Sequence, residues 1–165
     1  MLRRADMNYV SIVKADIANG DGFRVSLFVS GCLRNCPGCF NKKAQDPAFG
    51  KFFDEEAKKK IFAELDQEWC KGLSLLGGEP MSKLSDNRQQ IIALCQEVKE
   101  KYPNKDIWMW SGYTMEELQS YPDTKDIFKY IDVLVDGPFV LEKKDLSIPF
   151  RGSSNQRILR KGKDF

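Results

Sequence analysis

From Phe23 onward the chain alternates short apolar runs with amphipathic stretches, and each apolar run ends in a loop carrying glycine, cysteine or carboxylate. Phe23–Val29 precedes a cysteine-rich loop, Leu73–Leu76 precedes Gly77-Gly78-Glu79-Pro80, Ile107–Trp110 precedes Ser111-Gly112-Tyr113, and Val133–Val135 precedes Asp136-Gly137-Pro138-Phe139. Strand–helix alternation at this spacing predicts an α/β fold with a mainly parallel sheet. In such sheets the C-terminal strand ends carry the functional site, so all four loops are expected on one edge. With 165 residues the chain is too short for a closed eight-stranded α/β barrel, which takes about 250. The expectation is one domain over 1–165, in which strands and helices build part of a barrel and leave it open.

Local signals fill in the elements. Tyr9–Ile17 and Phe23–Val29 read as strands joined through the turn Asn19-Gly20-Asp21-Gly22. Asp54 caps a helix whose apolar face is Ile61, Phe62, Leu65 and Trp69. Asp86–Lys101 is a second helix with Ile91, Leu94, Cys95 and Val98 on its stripe. Thr114-Met-Glu-Glu117 is a capping box opening a third, and Lys125–Tyr130 continues as helix after Pro122.

Cys32, Cys36 and Cys39 form a C-x3-C-x2-C run. Three thiolates within eight residues are a soft donor set, suited to iron–sulfur clusters, zinc or copper. A four-iron cluster held by three cysteines leaves one iron free for a non-protein ligand, whereas structural zinc takes four donors, usually in paired C-x2-C spacing. The remaining cysteines are poor fourth donors: Cys95 belongs to an apolar helical stripe, and Cys70 follows Trp69 far along the chain. The chain has no histidine, which excludes Cys/His zinc sites and hydrolysis by a nucleophile with a histidine base. Chemistry must come from cysteine, carboxylate, lysine or a bound cofactor. The 26 basic and 24 acidic residues are well mixed, which argues against nucleic acid as a partner. Met1-Leu-Arg-Arg4 opens no apolar targeting segment, no run is long enough to span a membrane, and five cysteines, three of them clustered, suit a reducing cytoplasm.

The cysteine run followed by Gly77-Gly78-Glu79-Pro80 resembles the radical S-adenosylmethionine (SAM) enzymes. Cys36-Pro-Gly-Cys-Phe-Asn41, Leu76-Gly-Gly-Glu-Pro80, Asp106-Ile-Trp-Met-Trp-Ser-Gly-Tyr113, Val133-Leu-Val-Asp-Gly-Pro-Phe139 and Phe150-Arg-Gly-Ser-Ser-Asn-Gln-Arg-Ile158 together are similar to the activating components of anaerobic (class III) ribonucleotide reductases. That resemblance runs from about Tyr9 to Ile158, which it implies as the domain core (about 9–158) of an open, partial β/α barrel of the radical SAM type. It implies a [4Fe-4S] cluster on Cys32, Cys36 and Cys39. It also implies SAM beside Gly38, Cys39, Phe40, Gly77, Gly78 and Glu79, with Glu79 accepting from the SAM ammonium group. Many relatives in the superfamily carry an aromatic residue where this chain has Gly38, and Phe40 reads either as an adenine neighbour or as core packing. The implied reaction is reductive cleavage of SAM to methionine and a 5′-deoxyadenosyl radical, which takes hydrogen from a glycine Cα in the C-terminal loop of the reductase catalytic subunit. A flavodoxin or ferredoxin is the usual electron donor in the family, while the oligomeric state, a homodimer among the options, stays open. Tyr113, Asp136, Arg151 and Asn155 lie in the matching segments without assigned roles. The alternatives are another small radical SAM enzyme, of the pyruvate formate-lyase activase or modified-base synthase kind, and a non-catalytic zinc-binding module.

Overall fold

The computed structural model describes residues 6–165; the Met1–Arg4 segment weighed above lies outside them. The strands are β1 (Asn8–Asp16), β2 (Arg24–Val29), β3 (Lys51–Phe52), β4 (Gly72–Gly77), β5 (Asp106–Ser111), β6 (Val133–Asp136) and β7 (Arg157–Arg160). The α-helices are α1 (Glu55–Leu65), α2 (Asn87–Lys101) and α3 (Met115–Ser120). All seven strands form one sheet in the order β3-β1-β2-β4-β5-β6-β7. The central strands β2, β4, β5 and β6 are parallel, while β1 pairs antiparallel with β2 and β3, and β7 runs antiparallel to β6. The sheet is thus open and mixed, with its parallel part in the middle.

From β2 to β6 each crossover steps to the next strand in the same direction. Crossovers share one hand, so stepping one way gathers their helices on one face. Ile61 and Leu65 of α1, Ile91 and Leu94 of α2, and Leu118 of α3 pack in one core with Val25, Leu27, Leu73, Leu75, Ile107, Met109 and Leu134 of the sheet. Alternation along each strand sends the intervening residues to the opposite face. There Trp108, Val133 and Val135 form a smaller core with Trp110, Phe150 and Ile158.

At the N-terminal strand ends that second face is plugged by polar groups. Arg24 is fully buried, donates from Nε to Ser74 Oγ at 2.7 Å, and pairs with Asp106 across 2.7 Å. Ser26 Oγ donates to Asp16 Oδ2 at 2.7 Å and Ser74 Oγ to the Asn19 carbonyl at 2.6 Å. With the floor sealed, the same face opens at the C-terminal ends.

Most predicted elements are present, with three differences. α1 stops at Leu65, so Trp69 leaves its stripe and stands half-exposed, edge-on to Phe23 at 6.3 Å. Lys125–Lys129 is a 3-10 turn, too short to continue an α-helix. β3 and β7 carry no strand signal of their own; they form because β1 and β6 offer open edges. The helix caps form as expected: Asp54 Oδ1 accepts from Ala57 N at 2.9 Å, and Thr114 and Glu117 complete their reciprocal box.

Candidate active site

A cavity of about 470 Å³ lies at the C-terminal ends of the parallel strands, on the face opposite the helices. All four predicted motif loops reach it. Cys32, Cys36 and Cys39 come from the first, Gly77–Glu79 from the second, Ser111 and Gly112 from the third, and Gly137 and Phe139 from the fourth. Phe28 and Leu76 form apolar floor, and Arg151 and Gln156 close one side.

The cysteine loop leaves β2 and is fixed by a 3-10 turn at Lys42–Gln45: Gly31 N donates to the Ala44 carbonyl at 2.6 Å, and Cys32 N to the Gln45 carbonyl at 3.0 Å. Cys39 N donates back to the Cys36 carbonyl at 3.1 Å. All three thiols are free and half-buried. Burial foremost pushes the Cys32 thiol above its ordinary value; the charges of Glu79, Cys36 and Cys39 add to this, against a backbone hydrogen bond at Arg34. Binding a metal there requires loss of that proton. Among the described residues no three Cys, Asp or Glu side chains converge on one ion position. A cluster does not ask for convergence, because each thiolate binds a different iron. Cys70 and Cys95 are buried in the helix-side core, across the sheet from the cavity, and cannot complete the set.

The glycine pair acts on the protein backbone. Gly77 has φ +114°, and a Cβ there would lie 2.5 Å from Val29 N; a Cβ at Gly78 would lie 2.6 Å from the Ala44 carbonyl oxygen and 2.7 Å from that of Gly31. These approaches let Gly78 N donate to the Val29 carbonyl and Glu79 N to the Gly31 carbonyl, each at 2.7 Å. The absent side chains therefore join β4's end to the cysteine loop, while the same residues line the cavity.

Glu79 is 3% exposed and heavily engaged. Its carboxylate accepts from Gly112 N at 2.7 Å, Ser111 Oγ at 2.9 Å and Met81 N at 3.0 Å, tying the second motif loop to the third. A carboxylate offers about four acceptor positions, so little capacity is left for a ligand amine. Burial foremost raises its carboxyl above the ordinary 4.5, against the lowering effect of those hydrogen bonds. A raised value means that the group's contribution to stability is fully present below the ordinary 4.5 and is lost as pH rises above it. Glu79→Gln removes the titrating group at nearly constant size, with a cost of about 1–3 kcal/mol for its disturbed hydrogen bonds. Thermal unfolding of both forms from about pH 4 to about pH 8 checks this. The stability difference should narrow as pH rises, and a constant difference contradicts it.

Other expected residues take varied places. Gly38 does not line the cavity; with φ +73°, it abuts Leu141, whose Cδ1 is 2.7 Å from where its Cβ would be. Phe40 does line it and is 64% exposed, leaning on Phe139 at 5.2 Å, so it is not core packing. Tyr113 lies beneath the Arg34 guanidinium at 4.5 Å. Asp136 is buried, accepting from Met115 N at 2.7 Å and Arg157 Nε at 2.9 Å, and so braces α3 and β7. Asn155 donates to the Pro138 carbonyl at 2.8 Å. Sequence reading passed over Arg34, and it quoted Gln156 and Arg157 only within the Phe150–Ile158 segment, without a role for either. Gln156 donates to the Gly137 carbonyl at 3.0 Å and accepts from Gly152 N at 2.8 Å, joining two cavity loops. Such cross-ties leave no local pattern in a sequence.

A family model described as "4Fe-4S single cluster domain" matches residues 18–159. Proteins named anaerobic ribonucleoside-triphosphate reductase-activating protein from Pasteurella multocida and Vibrio cholerae are each 43% identical over 156 residues, covering 93% of this chain and 98% of theirs. The protein of that name from enterobacteria phage T4 is 39% identical over 154 residues, covering 92% and 93%. This chain belongs to the family of anaerobic ribonucleoside-triphosphate reductase-activating proteins. For a member of that family with a single-cluster domain, the three cavity cysteines are the one group of thiols available on this face of the sheet. No described helix is long and apolar enough to cross a membrane.

Proposed function

We propose that this chain is the radical SAM activase of an anaerobic ribonucleoside-triphosphate reductase. Cys32, Cys36 and Cys39 hold a [4Fe-4S] cluster, and SAM lies beside Gly77, Gly78 and Phe40. The observation that carries the reading is that three free thiols and the glycine motif line one cavity in a chain whose relatives activate that reductase. A [4Fe-4S] cluster held by Cys32, Cys36 and Cys39 would supply one-electron reducing chemistry for the cleavage of SAM. The chain's own residues position and shield. Glu79 holds the second and third motif loops together, Gln156 joins the fourth to the C-terminal segment, and the apolar floor of Phe28 and Leu76 limits water. With Cys70 and Cys95 in the core across the sheet, the three cavity thiols have no fourth cysteine with which to form a four-cysteine zinc module.

A polypeptide substrate is supported by the shape of the mouth. The sheet's edges, β3 and β7, do not pair with each other, so the unit reads as an open part of a β/α barrel of the radical SAM type. Phe40 and Leu146, which line the cavity, are 64% and 74% exposed, and Leu33 of the cysteine loop and Leu141, which abuts Gly38, are 60% and 45% exposed. Apolar side chains around a site opening favour a covering protein loop over a small polar metabolite. On this reading residues 1–165 act as one domain in the cytoplasm, with SAM as co-substrate, a flavodoxin or ferredoxin as electron source and a homodimer as the working form. Product analysis tests it. The anaerobically reconstituted protein, given SAM, reductant and the cognate reductase, should release 5′-deoxyadenosine and methionine in equal amounts, and a chain that holds iron yet leaves SAM intact contradicts it.

A further inference from the structure

We propose that Arg34, inside the cysteine loop, is a positioning residue: it clamps that loop to the β5–α3 segment and places a fixed positive charge that raises the reduction potential of the cluster. The inference rests on the cluster reading above. Arg34 lines the same cavity as the three cysteines, with its side chain 25% exposed. Three contacts hold it, and all belong to residues 112–117. Its guanidinium lies 4.5 Å from the Tyr113 ring centre, and its Nη2 pairs with Glu117 Oε2 at 3.3 Å. Its Cδ and Nε fill the place of the missing Gly112 side chain, at 2.4 and 2.5 Å from where that Cβ would be. Glu117 is itself fixed by the Thr114 capping box, so the anchor is rigid. Arg34 Nε is buried with no hydrogen-bond partner, so the salt bridge does not use up the cation's donors.

Placement decides what this cation does. As a half-exposed ion pair it adds little to folding stability. Within a partly enclosed cavity lined by the three cysteines, its charge is felt far more strongly than in water. A thiolate-held cluster becomes more negative when it takes up an electron, so a neighbouring cation favours the reduced form. The stacked, forked geometry also resists displacement of the loop between Cys32 and Cys36.

The reconstituted full-length protein tests both effects. An anaerobic redox titration followed by electron paramagnetic resonance gives the potential, and iron release to a chelator gives the clamp. Arg34→Gln should lower the midpoint by about 59 mV, a tenfold change for one electron, and release iron about tenfold faster. Arg34→Lys keeps the charge and should recover most of the potential but not the iron retention. Gly112→Ala displaces the side chain without removing its charge, and should speed iron release even if Arg34→Gln proves hard to purify. A wild-type protein with a normal cluster beside an Arg34→Gln form of unchanged potential and iron retention overturns this inference alone. A wild-type protein that takes up no cluster overturns the cluster reading and this inference with it.

Discussion

Alanine at Cys32, Cys36 or Cys39 should abolish cluster binding and SAM cleavage with it, while alanine at Cys70 or Cys95 should leave both close to wild type. The first three thiols share one cavity at the C-terminal strand ends, and the other two are buried on the far side of the sheet. Each of the three is expected to carry one iron, and removal of one leaves two protein donors for four irons. Cleavage should drop to background, with loss of the brown absorbance of the reconstituted protein. Cys95→Ala removes a buried sulfur from the helix core and should cost about 1–2 kcal/mol in unfolding free energy, visible in a melt but not in iron content. Iron lost from Cys70→Ala or Cys95→Ala protein that remains folded would show that the ligand set is wrong.

Valine at Gly77 or Gly78 should destabilise the fold before it affects any ligand. At Gly77 the positive φ adds strain of about 1–3 kcal/mol for a side-chain-bearing residue. The new Cβ would also press on backbone atoms of Val29, which cannot swing aside as a side chain can. At Gly78 the obstacles are the Gly31 and Ala44 carbonyls that hold the cysteine loop. Overpacking of this kind adds about 1–3 kcal/mol. Both variants should appear mainly as insoluble protein or melt far below wild type. A well-folded Gly78→Val protein that has lost only SAM affinity would mean the glycine serves the ligand and not the loop.

That second result differs from what the sequence alone suggests. The glycine pair reads as room for a ligand, because a turn motif says that a Cβ is unwelcome without saying what it would strike. Only the fold shows that Val29, Gly31 and Ala44 occupy the space. Glu79 follows the same pattern: the carboxylate was recognisable as part of the site, but its partners Ser111 and Gly112 are more than thirty residues away. The central strands and α1–α3 were legible because apolar period and capping are local. β3 and β7 were not, since each exists through its neighbour's edge. Arg34 was passed over for the same reason, its meaning lying in Tyr113 and Glu117 across the cavity.

The measurement that tests the central claim most directly is electron paramagnetic resonance of the cognate reductase. It should be incubated anaerobically with this protein, SAM and a one-electron reductant, then separated from the activating protein. A persistent doublet should appear on the reductase and collapse when its glycine carries deuterium at Cα. Truncation of the reductase's C-terminal glycine loop should remove it. SAM cleaved at full rate with no radical on the reductase, or a radical formed equally well on a free small molecule, would contradict the account.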